Sequence, residues 1–309
     1  MNQKLTIRSP KMEDAKTVCD LVIACDIADF GAPDFSLSDL LDMWQGFDMD
    51  HNVWVIENEE NTIVGYAFLE EDSEEKIFTY GFVLPAARGT GVGNMLIEKM
   101  KERAIELANT SGINKRLQNL IPTTCEDANH LLTDHGFHPV RLFKRMGIEL
   151  TNSPVVPQFP EDITITTFVP DQDERLLYDT YVEVFADHWD FSPPSYSDWL
   201  DRTKLESFRP EWWFIARNTK GEIAGFSLGK MNEDSLFINH IGVKRSYRGV
   251  GLGLAMLQHS FRAAYEKGQQ VVTLGVDSDS LTGAYRLYEK AGMKFIHEVT
   301  LYEKNITAS

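Results

Sequence analysis

The chain has 309 residues, 43% of them hydrophobic, and its 47 Asp and Glu against 30 Lys and Arg leave a formal charge of −17. That material suits about two ordinary domains, and the acidic balance argues against nucleic acid, whose phosphates need a basic face. No run reaches the roughly 18 uncharged apolar residues of a membrane helix, and the amino terminus lacks an apolar signal core, so a cytoplasmic protein with no membrane partner is expected.

The predicted elements come in the same order twice. A short strand at 5–8 precedes helical stretches at 13–28 and 37–47. Apolar runs at 53–57, 63–69 and 76–83 follow, each bounded by turn residues such as "NEEN", as antiparallel strands are. Leu96, Met100, Ala104 and Leu107 then recur at helical spacing. A strand at 116–120, a helix ending at Gly136 and a closing strand pair within 137–148 complete the first half. The three prolines of "TNSPVVPQFP" (151–160) read as a linker. Beyond it the order returns: a strand at 163–167, helices at 174–186 and 196–205, and strands at 212–217, 222–230 and 236–243. A helix through Leu254, Leu257, Phe261 and Ala264, a strand at 271–276, a helix ending at Gly292 and a strand pair within 294–304 follow.

The repeat is marked most sharply by "RGTGVG" (88–93) and "RGVGLG" (248–253), separated by 160 positions, the offset that also sets Gly65 against Gly225 and Pro10 against Pro170. A constant offset over so many elements means a duplicated fold. The expected class is α/β (α+β): domains at 1–150 and 161–309, each a mixed, mostly antiparallel sheet flanked by helices. Cys19, Cys25 and Cys125 lack metal-ligand spacing and read as small core hydrophobes, and no metal is expected.

Each glycine phrase joins a strand to the start of an amphipathic helix, where unpaired N–H groups and partial positive charge make an anion site. A Walker loop would need Gly-Lys-Ser/Thr, and a Rossmann fingerprint would need a parallel unit; neither is present. What remains, Arg-x-x-Gly-x-Gly, resembles the GNAT superfamily of acyl-CoA-dependent N-acyltransferases. "IGVKRSYRGVGLGLAML" (241–257) and "VDSDSLTGAYRLYEKAGMKF" (276–295) carry the likeness most fully. The tandem layout and "VFADHWDFSP" (184–193) are similar to mycothiol synthase and its tandem-domain relatives.

That resemblance implies acetyl-CoA as co-substrate and a small-molecule primary amine as acceptor, in a monomer or homodimer. It assigns the coenzyme A diphosphate to the backbone of Arg248, Gly249, Val250, Gly251, Leu252, Gly253 and Leu254, and the pantetheine arm to the strand at Ile241 and Val243. Ser280 stands where close relatives have Asn, and either bonds pantetheine or caps the next helix. The first-half counterparts are Val83, Arg88, Gly89, Thr90, Gly91, Val92, Gly93 and Asn94, which bind coenzyme A without turnover or persist for structure. Tyr288, four residues before Gly292, is the expected general acid, and Tyr285 beside it is open between core and site. His240 is either a base or a structural histidine, with a water relayed to His188 or Asp277 as the alternative. Leu132 replaces the tyrosine in the first half, which puts the chemistry in the second. Other readings are a non-catalytic acyl-CoA sensor or scaffold, a protein or peptide N-acetyltransferase, an O-acyltransferase, and an enzyme for longer acyl donors.

Overall fold

The amino-terminal part of the chain forms β1 (Thr6–Arg8), α1 (Ala15–Phe30), α2 (Leu37–Gly46), β2 (Val53–Glu57), β3 (Ile63–Glu71), β4 (Lys76–Val83), α3 (Val92–Ser111), β5 (Lys115–Pro122) and α4 (Glu126–Asp134). Local chemistry sets several of these ends. Ser36 and Asp39 form a reciprocal capping box that opens α2, and Gly31, at φ 83°, ends α1 by donating its N–H to the Ile27 carbonyl. One long strand, β6 (His138–Glu149), follows. The order then recurs as β7 (Ile163–Thr167), α5 (Glu174–Phe185), α6 (Tyr196–Asp201), β8 (Trp213–Asn218), β9 (Ile223–Asn232), β10 (Ser235–Val243), α7 (Leu252–Glu266), β11 (Val271–Asp277) and α8 (Ala284–Lys290), closed by β12 (Lys294–Ile306). This is a computed structural model, and it describes residues 4–33, 35–205, 207–232, 235–280 and 283–309.

Two compact units result: Met1–Leu142 with Glu298–Ser309, and Phe143–His297. In the first, the strand order is β1-β2-β3-β4-β5 followed by β12; in the second it is β7-β8-β9-β10-β11 followed by β6. The sheets are mixed, with β4–β5 and β10–β11 parallel and the other recorded pairs antiparallel. Each sheet buries both faces. In the first unit α3 covers one face through Leu96, Met100 and Ala104, while α1 and α2 cover the other through Val18, Val22, Leu40 and Trp44. In the second unit Met256 and Phe261 of α7 lie on one side, and Leu177 and Tyr181 of α5 lie on the other.

The closing strands depart from the sequence reading. Each half supplies one strand where a pair was expected, and each strand completes the other half's sheet. Residues 299–306 of β12 run antiparallel to β5, placing Tyr302 and Ile306 in the core with Leu117 and Ile121. Residues 143–149 of β6 run antiparallel to β11, with Met146 fully buried in the second unit. Polar contacts fix the first pairing: Glu303 accepts from Gln118 Nε2 at 2.8 Å and from Arg116 at 3.3 Å. Accordingly the units part at 142/143 and 297/298, whereas the expected break was 151–160. That segment has no regular secondary structure, yet its Phe159 packs on the second unit's core.

Both parallel pairs are short. β4 and β5 are in register only from Lys76↔Arg116 to Thr79↔Asn119, and β10 and β11 only from Ser235↔Val271 to Ile238↔Leu274. Past these points the parallel ladder stops, so one edge of 80–83 and of 239–243 loses its sheet partner beside each glycine loop.

Candidate active site

The three glycines of each phrase do two different jobs. Gly89 and Gly91 (φ 75° and 95°) and Gly249 and Gly251 (φ 81° and 88°) are left-handed, and an added Cβ at any of them would meet nothing within 4 Å. Backbone conformation, not crowding, requires glycine there. The third glycine of each phrase lies inside the helix. A Cβ on Gly93 would come 2.8 Å from Leu131 Cδ2, and one on Gly253 would come 3.2 Å from Leu287 Cδ2, so these positions seat α4 on α3 and α8 on α7.

The intervening residues contribute backbone only. Val92 and Leu252 are core residues, Val250 is 59% exposed, and Thr90 turns its hydroxyl to the Ala87 carbonyl. The expected cradle is also shorter than the sequence reading made it. Arg88 and Arg248 spend their N–H groups on Pro85 and Arg245, and Thr90 spends its own on Ala87. The first helical bonds come from Met95 and Ala255, so the N–H groups of 92–94 and 252–254 begin α3 and α7 without intrahelical partners, as an anion site needs. Asn94 lines the first loop, but its Oδ1 is held by His135 Nε2 at 2.9 Å. Leu254 is half-buried in the first turn of α7.

The flanking arginines are used differently, which sequence alone gave no means of seeing. Arg88 makes a two-armed ion pair with Asp29 of α1, at 2.8 and 2.9 Å. Arg248 donates from Nε to the Val243 carbonyl, closing the end of β10. The matching carbonyl of Val83 instead accepts from the Cys25 thiol at 3.2 Å, and burial pushes that thiol up to about 11. Cys19 and Cys25 are buried, as the core reading of the cysteines expects, whereas Cys125 is only half-buried and lines the first unit's cavity. In the second unit β10 also breaks register with β9 between Ile238 and His240, a bulge that β4 lacks against β3. Ile241 and Val243, past this bulge, pack partly against the core.

Tyr288 sits in α8 beside Leu287, the residue that touches Gly253, and shares a core cluster with Leu252 and Val276. It is 7% exposed, and burial raises its hydroxyl to about 12. Among the described residues nothing forms a hydrogen bond with that hydroxyl. A phenol in such a setting stays protonated across the working pH range and remains a proton donor. Leu132 stands 3% exposed in the first unit's core, without a donor. Tyr285 lies under the Lys144 ammonium, 4.9 Å from its ring centroid, and packs on the second unit's core.

Two expectations change. His240 lies edge-on to Tyr181 and Phe185, with ring centroids 5.0 and 5.5 Å away. Burial first, then Arg202 and His188, push it down to about 3. The case for a base near neutral pH fails there, because the packed ring resists the charged form. Ser280 is not the cap of α8: that place belongs to Gly283, at φ 66°, whose N–H bonds the Ser280 carbonyl. Leu281 and Thr282, which the quoted motif spans, lie outside the described residues.

The first unit holds a cavity of about 460 Å³ between the parted ends of β4 and β5, reaching Arg88, Gly89, Gly91 and Gly93 on one side and Cys125, Leu131 and Leu132 on the other. A groove that joins a parted strand pair to a run of unpaired helix-start N–H groups suits an extended thioester arm ending in a diphosphate. Among the described residues no group of three or more His, Cys, Asp or Glu could hold a metal ion, and no helix is long and apolar enough to cross a membrane.

Comparison with known proteins agrees with this geometry. The model of the acetyltransferase (GNAT) family matches residues 176–293, and that of an acetyltransferase (GNAT) domain matches 49–139. A mycothiol acetyltransferase of Stackebrandtia nassauensis is 30% identical over 257 residues, covering 81% of this chain and 82% of the relative. One from Catenulispora acidiphila is 28% identical over 304 residues, covering 93% and 94%. Among solved structures, a GCN5-related N-acetyltransferase from Sphaerobacter thermophilus superposes with TM-score 0.84 at 34% identity, covering 99% of this chain and 96% of that one. A tandem GNAT protein from the clavulanic acid biosynthesis pathway shares the fold at TM-score 0.76 and 16% identity, covering 99% and 100%. With the glycine loop present twice and relatives matched along nearly all of its length, this chain belongs to the GNAT family and is an acetyl-CoA-dependent N-acetyltransferase of two tandem GNAT domains.

Proposed function

We propose that the unit Phe143–His297 is the catalytic one and that it acetylates the primary amine of a small molecule in the cytoplasm. The observation that carries the catalytic assignment is Tyr288: a buried phenol held at the cradle helix through its neighbour Leu287, with leucine at the corresponding place of the first unit. In this reading the N–H groups of 252–254 and the left-handed loop at Gly249 and Gly251 hold the diphosphate, and the unpaired edge of β10 near Ile241 lies along the pantetheine arm. The amine nitrogen bonds to the thioester carbonyl carbon and gives up one proton to solvent or a nearby base, the C–S bond breaks, and the departing sulfur takes a proton from the Tyr288 hydroxyl, which solvent then restores. The relatives named as mycothiol acetyltransferases support a small-molecule acceptor in place of a protein.

The first unit's cavity supports a second role: coenzyme A binding without turnover, since Leu132 has no proton to give. Replacing Tyr288 with Phe tests the catalytic assignment. Free-thiol release from acetyl-CoA across a panel of small primary amines should fall about 100-fold or more in kcat, with KM for acetyl-CoA nearly unchanged. A Tyr288→Phe enzyme with full turnover would remove this residue from the chemistry.

A further inference from the structure

Rejecting His240 leaves the amine without an evident proton acceptor, and the segment after α5 supplies one. We propose that His188 accepts the proton of the attacking amine, directly or through one water; this deepens the reading of Phe143–His297 as the catalytic unit and rests on it.

The segment is anchored on both sides. The His188 N–H bonds the Phe185 carbonyl at 2.8 Å, and the His188 carbonyl accepts from Phe191 N–H. Asp187, the preceding residue, is ion-paired with Arg245 of the turn that leads into the glycine loop, and Glu183 pairs with Lys244 at 2.8 Å. His188 is thus held where α5 meets the end of β10. Its ring lies 4.4 Å from that of Phe185, which also lies 5.5 Å from the His240 ring. The Phe185 ring therefore touches both a partly buried histidine packed among aromatics and one that is exposed.

Charged groups face His188 from two other elements and from its own segment. Burial is the largest influence and lowers its pKa; Asp277 at the end of β11 raises it, Arg248 of the glycine loop lowers it, and Asp187 raises it. The outcome is a lowered value, so the imidazole is neutral at pH 7 and free to accept. Asp277 and Asp187 then stabilise the imidazolium that forms. The proton balance closes: the amine's proton goes to His188 and on to solvent, while Tyr288 protonates the sulfur and is itself reprotonated from solvent.

The test uses the full chain, acetyl-CoA and the amine panel, with kcat/KM followed from pH 5 to 9. The wild type should show an acidic limb of one proton below pH 6.5. His188→Gln should lose that limb and at least tenfold in kcat/KM at pH 7, with KM for acetyl-CoA changed less than twofold. Added imidazole should restore part of the rate to His188→Ala. His240→Gln should keep the limb. The inference is overturned if His188→Gln retains the limb, if His240→Gln loses it, or if imidazole restores nothing. Failure of the underlying site reading would look different: Tyr288→Phe would then run at wild-type rate, or the wild type would release no thiol with any amine.

Discussion

His240 shows how a residue type can be right and its environment decide against it. A histidine on the fourth strand of the repeat invites a basic role, and the strand does bulge beside it. The rings of Tyr181 and Phe185 that pack on it come from a helix far earlier in the chain, so no local pattern announces them. Its titration should be visible in stability. The unfolded imidazole takes its proton near the ordinary value of 6.5 and the folded one only near 3, so between these values the unfolded chain holds the additional proton. That contribution is complete above pH 6.5 and is lost as pH falls toward 3. By pH 5 about 2 kcal/mol of it has been lost. Urea unfolding at pH 7 and 5 should show His240→Leu losing less stability on acidification than the wild type; equal losses would refute the placement. The position of Tyr288, in contrast, is legible in sequence, because the family resemblance places a tyrosine four residues before Gly292 on one short helix, without reference to any distant segment.

At the scale of elements, the strand–loop–helix unit has the unpaired helix-start N–H groups that the proposed anion cradle needs, and its glycines divide into two kinds. The first two serve left-handed backbone, and the third serves helix packing. Alanine at the two kinds of position should therefore act differently. Gly251→Ala forces a left-handed alanine costing about 1–2 kcal/mol and tilts the cradle, so KM for acetyl-CoA should rise about tenfold. Gly253→Ala presses on Leu287 next to Tyr288, and should reduce kcat more than it raises KM. Equal effects on both constants in both variants would argue against this division. In the first unit, calorimetry should find two acetyl-CoA equivalents bound per chain, falling to one in Gly91→Ala; one equivalent in the wild type would restrict binding to the second unit.

Over the whole molecule, the duplication is not a pair of independent halves. The sheet containing β5 is finished by residues 299–306, and the sheet containing β11 by 143–149. Removing residues 298–309 should consequently damage the unit that lacks Tyr288. We expect limited proteolysis to cut such a chain within 1–142 while the Phe143–His297 unit stays protected. A truncated protein whose first unit resists as well as the intact one would contradict this exchange. Cutting the gene at 151–160, where the prolines invite it, should give two pieces that fold poorly apart, each lacking a sheet edge.

The sequence by itself determined the repeat, the order of elements and the position of the glycine loops at helix starts, because periodicity, turn chemistry and motif spacing act over a few residues at a time; Tyr288 came into view through the family resemblance. Only tertiary structure decided which sheet each closing strand joins, since an apolar alternating strand fits either of two similar sheets. It also decided that Arg88 is bound to Asp29, and that His240 packs against the rings of Tyr181 and Phe185 while His188 stays exposed. Those outcomes depend on contacts between segments remote in the chain, where burial and neighbouring charge set what a side chain can do.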